Sequence, residues 1–324
     1  MEKIEQYLQK LNAELDSISY GDEPVELYEP IRYLMSLGGK RMRPLLVLLA
    51  YGLKEDNPDD ILLPALAVEV FHNFTLMHDD IMDNAPIRRG KPTVHEKWNE
   101  NIAILSGDTM MVKAYDMMLD VNKDLLPVVL RKFNKCAVEV CEGQQLDMNF
   151  ESRELVSEEE YLEMIRLKTA VLLGFSLELG GILAGFDQQS TDLLRDFGVN
   201  IGIGFQLKDD LLDVYGDKEK FGKQVGGDIV SNKKTFLLIN ALRLAEGEQK
   251  KELDKWLNTT DFDNAEKVDA VTKIYDGLDI REMTKTRINA YFEKGFDALK
   301  NLSVSEAQKK PLLDFTNYLI NREK

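Results

Sequence analysis

The chain has 324 residues, room for one large or two average domains, and its 41 Lys plus Arg stand against 57 Asp plus Glu, a formal net charge of −16. That balance excludes a general nucleic-acid binder, since no basic surplus exists to neutralise phosphates, so an anionic ligand must be met by local cations. Two cysteines, Cys136 and Cys141, fit neither a Cys-x-x-Cys metal pair nor a disulfide framework, and they read as reduced core residues of a cytoplasmic protein.

The opening stretch MEKIEQYLQKLNAELD mixes charges of both signs and lacks the basic start and apolar core of a signal peptide. No integral membrane segment is expected, because no uncharged apolar run approaches the ~18 residues of a span; the longest, Leu45 to Ala50, is a helix turn or two. Apolar residues recur at helical spacing nearly throughout, and no alternating run rich in Val, Ile and Thr reads as a strand. The expected fold is all-α. Without a Pro/Gly/Ser-rich linker, residues 1–324 read as a single domain.

In chain order, the first candidate site segment is Gly38-Gly39-Lys40-Arg41-Met42-Arg43-Pro44, which sets three cations behind paired glycines. Glycines let backbone approach a ligand, and arginine offers a planar fork for phosphate oxygens. It is not a P-loop, and without other motifs such a segment is more often a solvated turn.

Asn57-Pro58-Asp59-Asp60 opens a long helix that Asn84-Ala85-Pro86 ends, because the residue before a proline is pushed out of the helical region. Along it His72, Thr75, Asp79 and Asp83 stack on one face, with Val68, Phe71, Leu76 and Ile81 around them. A polar stripe on an apolar helix implies a wet cavity. Arg88-Arg89 follows within one short loop, close enough to sit beside a metal-bound diphosphate. Gln144 and Asp147, three apart, can be simple helix-surface polars.

Ser157-Glu158-Glu159-Glu160 has capping-box spacing and opens a helix running through Lys168-Thr169 towards Gly180-Gly181. Ser190-Thr191-Asp192 opens another, ending near Tyr215-Gly216-Asp217, on which Gly202, Gln206, Asp209 and Asp213 form a second polar stripe backed by Ile203, Leu207, Leu211 and Leu212. Lys223 and Lys233 lie just beyond, and Thr259 to Val268 reads as a polar loop.

The clusters Asp79-Asp80-Ile81-Met82-Asp83 and Asp209-Asp210-Leu211-Leu212-Asp213 share one pattern. A single Asp-Asp-x-x-Asp arises by chance in about one chain in fifteen of this length, so two together point to function rather than to acidic surface. Both fall at a helix C-terminus, where the macrodipole disfavours carboxylates, and like charges one turn apart add to that cost. A bound divalent cation reverses both terms, and Mg²⁺ takes one or two carboxylates plus substrate phosphate oxygens. Two such helices facing each other would put both clusters across one cavity.

Taken in order, GGKRMRP at Gly38, HDDIMD at His78, RRGKPT at Arg88, KT at Lys168, FQLKDDLLD at Phe205 and GKQVGGDIVSNKKT at Gly222 resemble the motifs of the trans-isoprenyl diphosphate synthases. The likeness runs from about residue 30 to 240. It implies an antiparallel helical bundle around a central cavity, a homodimer, and condensation of isopentenyl diphosphate with an allylic diphosphate. It also implies three Mg²⁺ per active site, with Asp79, Asp83 and Asp209 as ligands and Asp80, Asp210 and Asp213 in support. By the same resemblance Lys40, Arg43, His72 and Arg89 would bind the isopentenyl diphosphate, while Arg88, Lys168, Thr169, Gln206, Lys223 and Lys233 would complete the allylic site. Asp147 matches a family acid facing that cavity, and the C-terminal Arg322 and Lys324 partly match a basic tail that closes over it.

Two residues, Ile81 and Met82, separate the outer aspartates of the first cluster, where many bacterial farnesyl synthases have four. Phe74 lies five residues before Asp79, with the small Thr75 beside it, and one aromatic in this region goes with short products in the family. Geranylgeranyl diphosphate is the expected product and farnesyl diphosphate the alternative. A class I terpene cyclase is the rival activity, but it normally carries an Asn/Asp-Ser/Thr-Glu second motif and has no isopentenyl diphosphate site.

Overall fold

The structure, a computed structural model, describes residues 2–216 and 226–321, and Lys223, Arg322 and Lys324 lie outside them. The described chain is helical apart from one small hairpin, as the 3.6-residue periodicity predicts. Its contacts cluster in two compact units, residues 1–135, 175–195 and 302–316 forming one, residues 136–174, 196–301 and 317–324 the other.

The first unit contains α1 (Glu2–Ser17), α2 (Val25–Ser36), α3 (Met42–Tyr51) and α4 (Leu62–Met82), followed by strands β1 (Ile87–Arg88) and β2 (Lys91–Pro92), then α5 (Val94–Lys97) and α6 (Glu100–Met118). Helix α4 is its core. Leu66, Val70 and Phe71 are fully buried, and Phe71 stacks edge-on to Phe133 with centroids 5.1 Å apart. Asp59–Met82 has the length and mean hydropathy to cross a membrane, 1.3 over its most apolar window, but 67 % of that window is buried inside the protein, which is how a core helix scores. The apolar run Leu45 to Ala50 is entirely buried within α3.

The helices α7 (Leu126–Glu151), α8 (Glu158–Ile165), α9 (Val171–Leu183), α10 (Gln188–Tyr215), α11 (Gly227–Val230), α12 (Phe236–Leu244), α13 (Gly247–Asn258), α14 (Asn264–Gly277), α15 (Ile280–Lys300) and α16 (Glu306–Ile320) follow. The capping box is present: Ser157 Oγ accepts from the Glu160 amide at 3.1 Å, and Glu160 Oε2 accepts from the Ser157 amide at 2.9 Å.

Several local expectations change. The cap at the start of α10 is Asp187, whose carboxylate accepts from the Ser190 amide at 2.8 Å, so the helix begins before Ser190. Helix α9 runs past Gly180 and Gly181, because Gly180 is a close-packing position: a Cβ there would meet the Val47 carbonyl at 2.2 Å. The polar stretch after Thr259 is loop only to Asp263, which caps α14, so Val268 is helical. Cys136 is buried but Cys141 is exposed, a surface rather than a core residue.

Candidate active site

In the first unit the segment before α3 turns on three positive φ angles, Gly38 at 78°, Gly39 at 150° and Arg41 at 47°. A left-handed backbone costs a non-glycine residue about 1 kcal/mol or more, so Arg41 needs a compensating hold. It has one. Its guanidinium is buried, donates to Glu69 at 2.9 Å and to the Met35 carbonyl at 3.1 Å, while Lys40 stays exposed and Arg43, half-buried, lies in the first turn of α3.

The resemblance gave the neighbours Arg88 and Arg89 to different diphosphates, and in the structure their side chains take different partners. Ile87 pairs with Pro92 and Arg88 with Lys91, leaving Arg89 (φ 52°) and Gly90 (φ 75°) as a two-residue loop with both φ positive, the turn that matches strand twist. Arg89 donates to the Gly38 carbonyl, and a Cβ at Gly39 would stand 3.0 Å from its guanidinium. Arg88 instead forms a bidentate pair with Asp80, Nε to Oδ2 at 2.8 Å and Nη2 to Oδ1 at 2.7 Å. Asp80 is 2 % exposed and faces away from solvent, whereas Asp79 is half-buried and Asp83, at the C-cap of α4, is exposed.

His72 is held well below the usual histidine range, first by burial and then by Arg43, Arg89, Arg88 and Arg41 around it. Its neutral form is favoured, so it adds no fifth positive charge to the four guanidinium groups beside it. Thr75 turns its hydroxyl back to the His72 carbonyl at 2.8 Å. Phe74 is buried between Phe71 and His78, with centroids at 5.5 Å and 4.8 Å.

In the second unit the Lys168-Thr169 pair lies in a π-helical turn, Arg166–Ala170, a rare geometry that recurs at functional sites. Lys168 Nζ donates to Asp147 Oδ2 at 2.6 Å, so Asp147 is tied into this site. Thr169 Oγ1 lies 3.3 Å from Gln206 Oε1, and Gln206 Nε2 donates to Asp210 Oδ1 at 3.1 Å. Small residues permit this approach, since a Cβ at Gly202 would stand 2.8 Å from Ala170; Gly202 is a packing position rather than part of a wet stripe.

Asp210 is 4 % exposed and also accepts from the Tyr161 hydroxyl. Burial pushes its carboxyl up to about 7, with nearby Asp228 adding to the shift and the Tyr161 hydroxyl opposing it. Asp213 Oδ2 accepts from the Asp228 amide at 2.9 Å, and the Lys233 amide donates to the Asp228 carbonyl at 2.9 Å, which sets the Lys233 segment against the end of α10.

Two side chains escaped the sequence reading, and a third was read as exposed. Tyr161 carried no signal beyond its place in an ordinary amphipathic helix. Glu69 is a lone carboxylate amid Ala65 to Phe71, which should have demanded a buried partner. Gln144 is 7 % exposed rather than a surface polar, and neither of its amide atoms has a hydrogen-bond partner.

Among the described residues no three His, Cys, Asp or Glu side chains converge into a ready-made metal cage. The donor set nevertheless fits Mg²⁺. Each cluster offers outer carboxylates one helical turn apart, all-oxygen donors, and Mg²⁺ takes one or two of these while substrate phosphates and water complete its octahedron.

An all-helical fold with paired aspartate clusters and a separate nest of cations defines an enzyme that handles diphosphates. Residues 24–275 match the sequence profile of the family described as Polyprenyl synthetase, so the chain belongs to that family and is a prenyltransferase. It is 42 % identical over 265 residues, 82 % of this chain and 80 % of the other, to the short chain isoprenyl diphosphate synthase of Methanocaldococcus jannaschii. It is 37 % identical to the geranylgeranyl diphosphate synthase of Methanosarcina mazei, covering 100 % of this chain and 98 % of that one. A crystal structure of a geranylgeranyl pyrophosphate synthase superposes with a TM-score of 0.93 at 42 % identity, covering 99 % of both chains. The polyprenyl synthase of Caulobacter crescentus, solved with calcium and isoprenyl diphosphate, superposes at 0.87 with 27 % identity, covering 100 % of this chain and 97 % of that one.

Proposed function

We propose that the chain condenses isopentenyl diphosphate with an allylic diphosphate and releases geranylgeranyl diphosphate. The observation that carries this reading is the gathering of Arg43 and Arg89 about His72, beside the Gly38–Pro44 segment, cations enough to meet a second diphosphate. A terpene cyclase has no use for such a site. The geranylgeranyl names of several relatives at 35–37 % identity support the product assignment.

Lys40, Arg43, His72 and Arg89 bind the isopentenyl diphosphate. Arg88, Lys168, Thr169, Gln206, Lys223 and Lys233 hold the allylic diphosphate, and Asp79, Asp83 and Asp209 hold its Mg²⁺ ions, three in the family pattern. Bound Mg²⁺ supplies positive charge to the departing diphosphate. The arginines and lysines add charge fixed before the reaction starts, so the allylic carbon–oxygen bond ionises at low reorganisation cost. The double bond of isopentenyl diphosphate attacks the resulting cation, and loss of a proton to the released diphosphate gives the trans alkene. Phe71, Phe74 and their apolar neighbours on α4 exclude the water that would capture that cation. Asp80, Asp210 and Asp213 position rather than ligate.

The test is product analysis of purified protein given Mg²⁺, labelled isopentenyl diphosphate and each allylic primer in turn. Geranylgeranyl diphosphate should dominate; long polyprenyl chains, or turnover without isopentenyl diphosphate, would overturn the reading. Phe74→Ala should lengthen the product, and unchanged length would mean that another residue forms the floor.

A homodimer fits the family, and an exposed apolar stripe supports it: Leu105, Val112 and Leu119, seven apart on α6 and its C-cap, are 59 %, 62 % and 56 % exposed. Val112→Glu should convert a dimer to a monomer in light scattering coupled to gel filtration.

A further inference from the structure

Of the three cations in Gly38–Pro44, Arg41 alone is turned inward. Its side chain is 7 % exposed and meets a Glu69 side chain that is 3 % exposed, across 2.9 Å. Asn73, one turn along α4 and fully buried, donates from Nδ2 to the Glu69 carbonyl at 2.8 Å and lies 3.4 Å from Glu69 Oε1. Glu69, on the helix that also carries His72, is therefore enclosed by two donors, Arg41 and Asn73.

A buried carboxylate–guanidinium pair gives little net stability, because desolvation consumes most of the attraction, and apolar residues of similar volume often replace it without loss. Here the pair acts through geometry. Arg41 sits at φ 47° just before the first turn of α3, between exposed Lys40 and half-buried Arg43. With its guanidinium pinned by Glu69 and by the Met35 carbonyl, the backbone reverses so that Lys40 leaves towards solvent and Arg43 sits in the first turn of the helix near His72. Among the described residues the hydrogen bonds of Arg41 and of the Glu69 side chain run to each other, to Met35 and to Asn73, and to none assigned to the allylic diphosphate.

We infer that Glu69 is a positioning residue for isopentenyl diphosphate: through Arg41 it fixes the directions from which Lys40 and Arg43 meet that diphosphate. The inference rests on the proposed assignment of those two cations. Its effect is confined to one co-substrate, which a general packing role would not produce.

Steady-state kinetics with Mg²⁺, isopentenyl diphosphate and farnesyl diphosphate test it, on Glu69→Gln and on the apolar double variant Arg41→Met/Glu69→Met. Both should raise the KM for isopentenyl diphosphate about tenfold or more and leave the KM for farnesyl diphosphate within about twofold, the double variant melting near the parent and Glu69→Gln, which leaves Arg41 without its anion, melting lower. A folded variant that keeps its KM for isopentenyl diphosphate overturns the inference, and so does an equal rise in both KM values. If the double variant does not fold, Glu69→Gln alone decides by the same two outcomes. Lys40→Ala and Arg43→Ala, run in parallel, separate the two levels: if they leave the KM for isopentenyl diphosphate unchanged, it is the site assignment that fails.

Discussion

The two aspartate clusters have one sequence pattern and one position, the last turns of a long helix, yet their second aspartates live in different surroundings. Asp80 is locked to Arg88 by two charge-assisted bonds of 2.8 and 2.7 Å, delivered by a hairpin whose loop presents Arg89 to the Gly38 carbonyl. Among the described residues Asp210 accepts from neutral donors, Tyr161 and Gln206, and burial pushes its carboxyl up to about 7 against the opposing charge of Lys233. On the proposed assignment Asp79, Asp83 and Asp209 hold metal, while each second aspartate anchors something local: a cation in the first cluster, a hydroxyl and an amide in the second.

Alanine at an outer position breaks both clusters alike. Asp79→Ala or Asp209→Ala should lower kcat by about 10³-fold or more, since charge that stabilises the departing diphosphate is lost, as single-turnover measurements would show. The second aspartates should then diverge. Asp80→Asn leaves Arg88 without its anion and should lower both kcat/KM, by roughly 10–100-fold, and the melting temperature. In a double-mutant cycle with Arg88→Gln the pair should be strongly non-additive, the double variant being little worse than the poorer single.

Asp210→Asn should have the smallest kinetic effect and the opposite sign in stability. A carboxyl raised from 3.8 to about 7 costs the fold nothing below pH 4; the cost grows as pH rises from 4 to 7 and is constant above. Asparagine removes it. In the metal-free protein the variant should melt about 2–4 °C higher at pH 8, with the gain shrinking towards pH 5. A loss of stability at pH 8 would mean that Asp210 is held ionised by its surroundings.

Much of this was legible in the sequence, for identifiable reasons. The periodicity of α4 and α10 placed Asp79, Asp83, Asp209 and Asp213 one turn apart, and the Ser157 box gave a helix start because local rules govern both. What stayed hidden depends on distant partners. Arg41 looks like its neighbours until Glu69, 28 residues on, draws it inward. Asp80 and Asp210 differ only through a hairpin and through Tyr161, neither written in the pattern. The π-turn at Lys168 has no sequence signature, and Gly202 reads as part of a polar stripe until Ala170 is packed against it.

The most direct measurement is calorimetric titration of a non-ionisable allylic diphosphate analogue into the four single variants Asp79→Asn, Asp209→Asn, Asp80→Asn and Asp210→Asn, with and without Mg²⁺. The first two should lose Mg²⁺-dependent binding, whereas the last two should retain it, Asp210→Asn at close to parental strength. Mg²⁺-dependent binding that survives at Asp79→Asn and Asp209→Asn but vanishes at Asp80→Asn or Asp210→Asn would contradict the division into metal-holding outer aspartates and positioning second ones.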